Sequence, residues 1–131
     1  IRMYNNTFVM PRPYTALETI PLEVIGNAGD FQFANNIVYA TTPQTEPLAC
    51  GDLCSNNLFF NMPVSGTEFV VGDPLFENVQ WRGAGRLEAG EAFRIQPGSP
   101  AINAGLGLYP PQVDYFGNET PANPAIGMHQ P

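Results

Sequence analysis

The chain has 131 residues, including twelve acidic residues, five arginines and no lysine, and this length fits a single domain. Its net charge of −7 excludes the basic surface of a nucleic-acid-binding protein and disfavours contact with an anionic membrane. No apolar run is long enough to span a membrane, and fourteen prolines and thirteen glycines argue against long helices.

Three segments share one pattern, in which a pair of asparagines separates a short extended stretch from an apolar run. The pairs are Asn5-Asn6, Asn35-Asn36 and Asn56-Asn57, and their first members are 30 and 21 residues apart. Asparagine tolerates left-handed backbone angles, so each pair predicts a tight corner. Repeats of this length are typical of solenoids. We therefore predict stacked coils in which the Asn side chains form a hydrogen-bonded ladder with a spacing of about 4.8 Å.

The residues beside the corners have the periodicity of strands. Phe31 and Phe33 alternate with Gln32, as in a half-buried strand, and β-branched or aromatic residues follow each corner. The alternative is that the Asn pairs mark hairpin turns of an antiparallel domain. Asn-Gly, the stronger hairpin signal, is absent from these corners, and the segments that separate the units are too long for a meander. These observations favour the solenoid.

The two cysteines, Cys50 and Cys54, lie in one loop with three residues between them. This spacing can close a small disulfide loop if the Cβ vectors converge, and in a secreted protein we favour that bridge. The alternative is a redox or metal pair. That alternative is weak because the spacing is not Cys-x-x-Cys and the single histidine, His129, is distant in sequence. No metal site is predicted.

From Val64 onward the Asn repeat stops and four short motifs follow in order: residues 73–76 (DPLF), 93–105 (FRIQPGSPAINAG), 114–118 (DYFGN) and 126–129 (IGMH). This order resembles the C-terminal end of secreted right-handed parallel β-helix proteins, the pectate-lyase-like group of polysaccharide lyases and glycoside hydrolases. The resemblance is close over residues 56–129 and extends loosely to residue 1. Asn103 stands where Asp is usual, and the ending differs, so the motifs do not select one enzyme family.

The repeat and the resemblance together predict an all-β fold, a right-handed parallel β-helix in one structural domain. Residues 1–63 are expected to form stacked coils with Asn corners, and residues 64–131 the final coil and an irregular, Pro- and Gly-rich C-terminal cap. Six apolar side chains of the second part are predicted to plug the end of the column: Leu75, Phe76, Phe93, Ile95, Ile102 and Ile126. Because the sequence starts inside a repeat, we expect a fragment of a longer chain.

The resemblance implies a secreted or cell-surface protein whose partner is a polysaccharide or oligosaccharide. It also implies that reactive groups lie on central coils, so we expect the chemistry mostly upstream, in a parent lyase or hydrolase, and an inactive chain here. The upstream β-helix coils of that parent are then a second partner. The alternative is a non-catalytic β-helix module of a surface protein that binds glycans or presents loops.

Candidate sugar contacts are Trp81, Arg82 and Arg86, because an aromatic ring can stack on a sugar face while arginine donates hydrogen bonds. Packing of this loop against the stack is the alternative. No catalytic residue is assigned. No cofactor is expected here, and Ca²⁺ is an option only for the parent, because lyase chemistry needs neutralisation of a uronate. His129 is predicted to lie at the surface, and five carboxylates are predicted to be solvated: Asp30, Glu46, Asp52, Glu88 and Glu91.

Overall fold

The structure is a computed structural model that describes residues 2–10, 31–48, 51–64, 66–80, 86–107 and 113–131. The strands are β1 (Arg2–Tyr4), β2 (Thr7–Met10), β3 (Gln32–Ala34), β4 (Ile37–Ala40), β5 (Cys54–Ser55), β6 (Leu58–Phe60) and β7 (Val70–Val71). A 3-10 helix spans Gly51–Leu53, and α1 spans Arg86–Ala92. Neither helix has the length and apolar character needed to cross a bilayer, in the part of the chain that is described. The prediction of a β-rich chain with little helix is confirmed.

The strands form two parallel sheets. One has the order β1-β3-β5, and the other has the order β2-β4-β6-β7. Tyr4 pairs with Ala34 in the first sheet, and Thr7 pairs with Ile37 in the second. The two strands that flank an Asn pair therefore belong to different sheets, which contradicts the hairpin alternative. We call each strand–Asn pair–strand unit a layer: layer 1 is residues 2–10, layer 2 is residues 32–40 and layer 3 is residues 54–60.

Each Asn pair turns the chain from one sheet to the other. The first asparagine of each pair has a positive φ, 56° at Asn5, 56° at Asn35 and 49° at Asn56. A left-handed backbone costs an ordinary residue roughly 1–2 kcal/mol, whereas the short amide of asparagine can compensate by local hydrogen bonding. The residue type at these three positions therefore favours a turn of the chain there.

The stacking continues through a further corner that has no asparagine. Thr67 pairs in parallel with Ser55, and β7 pairs in parallel with β6. Glu68 therefore occupies the place of Asn56, and its φ of 50° matches that corner. We call residues 67–71 layer 4. The structural repeat thus extends beyond residue 64, where its sequence signature ends.

Apolar side chains between the two sheets form the central cluster. Phe33 from one sheet and Phe59 from the other are fully buried there. The other buried members are Met10, Val38, Ala40, Leu48 and Cys54. Burying an aromatic side chain stabilises the fold by roughly 1.5–3 kcal/mol, so this column is a main source of stability.

A second apolar cluster covers the outer face of the β2-β4-β6-β7 sheet. Ile37 and Tyr39 flank Val38 in β4, and they face the opposite side of the sheet because strand side chains alternate. Five of the six side chains predicted to plug the column pack here instead: Phe76, Phe93, Ile95, Ile102 and Ile126. The sixth, Leu75, is exposed. The C-terminal part packs laterally because this sheet is apolar on both faces, as parallel sheets commonly are.

Candidate functional site

The second asparagines of the three pairs form one hydrogen-bonded ladder through the stack. The Asn6 Nδ2 donates to the Asn36 Oδ1 at 3.0 Å, and the Asn36 Nδ2 donates to the Asn57 Oδ1 at 3.2 Å. The backbone N–H groups of Asn6 and Asn36 donate to the same two oxygens. Asn36 and Asn57 are almost completely buried, so their polar groups depend on these bonds.

The first asparagines of the second and third pairs bind the C-terminal segment at the corners. The Asn35 Nδ2 donates to the Leu106 carbonyl at 2.7 Å, and the Leu106 N–H donates back to the Asn35 Oδ1 at 2.9 Å. The Asn56 Nδ2 donates to the Ala104 carbonyl at 3.3 Å. Two of the six asparagines predicted to form the ladder therefore bind the tail instead. No sequence pattern distinguishes these two from the asparagines that form the ladder.

Gly127 allows the backbone of the tail to approach layer 2 closely. Its N–H donates to the Asn35 carbonyl at 2.8 Å, and its φ is 97°. A Cβ at this position would lie 2.6 Å from the Ile37 Cδ1, so a larger residue would force Ile37 to shift and would also be strained at this φ. The glycine of the IGMH motif thus has a structural explanation in the packing of the tail.

A cleft of about 430 Å³ opens beside the corner of layer 1. Strand β2 is the outermost strand of its sheet in the described part of the chain, so the cleft lies at a sheet edge. One wall consists of corner residues of layer 1, and the other is formed by the tail: Val113, Asp114, Tyr115, Gly127, Met128 and Gln130. This cleft is the best candidate for a binding site among the described residues. The sequence did not indicate it because its walls come from opposite ends of the chain.

Asp114 holds the loop that forms one wall of the cleft. Its Oδ1 accepts the N–H groups of Phe116 and Asn118, both at 2.8 Å. Its Oδ2 accepts the Asn118 Nδ2 at 2.9 Å and the Gln130 N–H at 2.8 Å. Partial burial raises the pKa of Asp114, but these hydrogen bonds outweigh it and hold the pKa below its ordinary value. The carboxylate is therefore committed to the loop. Among the described residues, no second carboxylate lines the cleft to complete the pair that glycoside hydrolysis uses.

His129 is buried, which contradicts the predicted surface position. Its Nδ1 accepts the Ile95 N–H at 3.1 Å, and its ring packs edge-on against Phe116. The Arg94 guanidinium lies over the same Phe116 ring, with its Cζ atom 3.7 Å from the ring centroid. Burial lowers the pKa of His129, and the positive charge of Arg94 lowers it further. The imidazole accepts a buried backbone hydrogen bond, so it is not available as a general base.

The remaining candidate residues are distributed as follows. Trp81 and Arg82 lie outside the described residues, and Arg86 is the first residue of α1, with a side chain that is also outside them. The sugar-contact hypothesis stays a prediction. Cys54 is buried in the central cluster and is disulfide-bonded, whereas Cys50 lies outside the described residues. Among the five loop carboxylates, Asp30 is outside the described residues, and the exposed ones are Glu46, Asp52, Glu88 and Glu91.

No protein-family model matches this chain, and a search of curated proteins finds no significantly similar sequence.

Proposed function

We propose that this chain is the C-terminal part of a secreted right-handed parallel β-helix protein that acts on polysaccharide, with the chemistry on coils upstream of it. The observation that carries the proposal is the Asn6–Asn36–Asn57 ladder. Layers 1, 2 and 3 each add one strand to each of two parallel sheets and one asparagine to the corner column. Such addition of nearly identical units is the principle of a solenoid.

The chemistry of the described residues supports a closing role for this part. Asp114 is saturated by hydrogen bonds, and His129 accepts a backbone N–H. Glycoside hydrolysis needs two carboxyl groups facing one bond, and lyase chemistry needs a positioned base. The described residues that line the cleft hold neither arrangement, and we place the catalytic groups of the parent on its upstream coils.

The state of Cys54 supports secretion. This thiol is oxidised to a disulfide. Disulfides persist in oxidising compartments such as the extracellular space and are rare in the cytosol of mesophiles.

Polysaccharide degradation by the full-length parent and by the isolated chain tests this proposal. A panel that includes uronate-containing and neutral polysaccharides separates lyases, detected by ultraviolet absorbance of unsaturated products, from hydrolases, detected by new reducing ends. We expect activity in the parent and none in the isolated chain. An inactive parent would overturn the enzymatic proposal, and activity in the isolated chain would overturn the upstream location.

A second candidate is a non-catalytic glycan-binding module, and the composition of the cleft favours it. Tyr4, Phe8 and Tyr115 line the cleft together with the amide of Asn6. Aromatic faces combined with amide groups are suited to sugar rings and their hydroxyls. Titration calorimetry of the isolated chain with oligosaccharides tests this candidate. Binding that is lost in Tyr115→Ala would support it, and the absence of binding across the panel would reject it.

A further inference from the structure

Asn6 makes only part of the hydrogen bonds that its ladder position allows. The Asn36 Nδ2 donates to the carbonyl of Met3 in the preceding layer, and the Asn57 Nδ2 donates to the carbonyl of Phe33 in the preceding layer. The Asn6 Nδ2 donates instead to the Tyr4 carbonyl of its own layer, at 2.9 Å.

The Oδ1 of Asn6 also differs from the Oδ1 atoms of Asn36 and Asn57. The Asn36 Oδ1 and the Asn57 Oδ1 each accept two hydrogen bonds from the layer before. No donor among the described residues reaches the Asn6 Oδ1. In the described part of the chain, the ladder therefore ends in layer 1, where the Asn6 Oδ1 accepts no hydrogen bond and the Asn6 Nδ2 donates to a carbonyl of its own layer.

The same end of the stack presents apolar groups across the cleft. Val113 is 65% exposed and Tyr115 is 51% exposed, although the loop that carries them is fixed by Asp114. Phe8 lines the opposite side. A rigid loop that holds apolar side chains beside an edge strand is suited to cover a strand added at that edge.

We propose that this cleft is the seat of one more strand–corner–strand layer, contributed by the parent polypeptide. The corner of the added layer donates its N–H, and its amide where it is asparagine, to the Asn6 Oδ1. The Asn6 Nδ2 then turns to a carbonyl of the added layer, as Asn36 and Asn57 do to theirs. This inference rests on the solenoid architecture of the proposed function and is independent of its polysaccharide chemistry.

An added layer of the parent polypeptide would continue the interface that joins the existing layers. This continuity favours the added layer over a second copy of the chain as the occupant. A net charge of −7 opposes self-association. The opposite end of the stack has Glu68 and Asp73 beside the two-residue strand β7, and acidic groups and short strands protect an edge from pairing. A saccharide would reach the Asn6 amide without pairing with β2, which leaves the edge backbone unused.

A peptide of residues 31–42, labelled with a fluorophore, provides the test because it contains the whole of layer 2. We expect saturable binding to the full chain in fluorescence anisotropy. The same peptide with Asn36→Leu should bind at least about tenfold more weakly, since it lacks the amide that joins the ladder. Val113→Asp in the protein should weaken binding to a similar degree. Val71→Asp is the matched control, because Val71 is 63% exposed at the opposite end of the stack.

Several outcomes would overturn the inference. These are the absence of saturable binding, equal binding by the Asn36→Leu peptide, or binding lost in Val71→Asp but retained in Val113→Asp. Displacement of the peptide by oligosaccharides would identify the cleft as a sugar site, and self-association of the chain in sedimentation that blocks the peptide would identify a second copy. If the peptide binds but the parent is inactive, the inference that the cleft binds an added layer would stand, and only the enzymatic function would be rejected.

Discussion

The Asn36 Nδ2 atom lies 3.2 Å from the Asn57 Oδ1 atom, although the two residues are 21 positions apart. The same Nδ2 donates to the Met3 carbonyl, and the Asn36 Oδ1 accepts from Asn6. Asn36→Ala should therefore lower the free energy of unfolding by roughly 2–4 kcal/mol, because it leaves several buried partners without hydrogen bonds. Urea denaturation followed by circular dichroism measures this loss.

The exposed residue Asn78 supplies the control for that substitution. Within the described ranges, its side chain makes a single hydrogen bond, accepting the Gln80 N–H at 3.1 Å. Asn78→Ala should change the free energy of unfolding by less than about 1 kcal/mol. Equal losses in the two variants would show that the ladder contributes nothing beyond an ordinary polar contact.

Asn35 joins a left-handed corner to the C-terminal tail. Asn35→Ala removes both hydrogen bonds to Leu106 and places alanine at a φ of 56°, so we expect a loss of about 1–3 kcal/mol. Asn35→Gly removes the same bonds but tolerates the backbone angle, and it should lose less. Thermal unfolding of both variants separates the two causes. An unchanged melting temperature in Asn35→Ala would contradict the role assigned to this amide.

The corners could be predicted from sequence because asparagine is one of few residues that accept a left-handed backbone, and three pairs repeat it. A final coil was predicted within residues 64–131, but the position of its corner was not, since Glu68 adopts the same angle without the same residue type. The lateral packing of Phe76 and Ile126 could not be predicted from the sequence either. A sequence shows that a side chain is apolar, but not which of two apolar surfaces it covers. The cleft joins Asn6 to Asp114, and no local pattern links residues so far apart.

Glu68 stands at the corner of layer 4 with a φ of 50° and an exposed side chain. Glu68→Asn places at this corner the residue type of the other three, so it should raise the free energy of unfolding by roughly 0.5–1 kcal/mol. Glu77→Asn removes the same charge at another exposed position and controls for the change in net charge. A gain of equal size in both variants would assign the effect to charge and not to backbone strain.

Asp114 accepts four hydrogen bonds, and its pKa is lowered, so its contribution to stability is present above the ordinary carboxyl range. That contribution should be lost as the pH falls below about 4, because the unfolded chain then takes up a proton more readily. Asp114→Asn cannot accept from both Asn118 and the Gln130 N–H, and it should lose about 1–3 kcal/mol at neutral pH. Glu119→Gln is the exposed control. Denaturation of both variants at neutral pH, and of the wild type down to acid pH, measures these effects.

His129 should make the fold sensitive to mild acid. Its pKa is lowered by burial first and by Arg94 second, while Asp114 and Glu91 oppose the shift. The unfolded chain therefore binds the proton more readily than the folded chain, so stability falls as the pH drops through the ordinary histidine value near 6.5 and levels off below the pKa of the folded state. His129→Asn retains an acceptor for the Ile95 N–H and cannot titrate, so its stability should stay flat from about pH 7 to about pH 5. Denaturation midpoints at several pH values measure both slopes, and equal slopes in the two proteins would assign the acid sensitivity to another group.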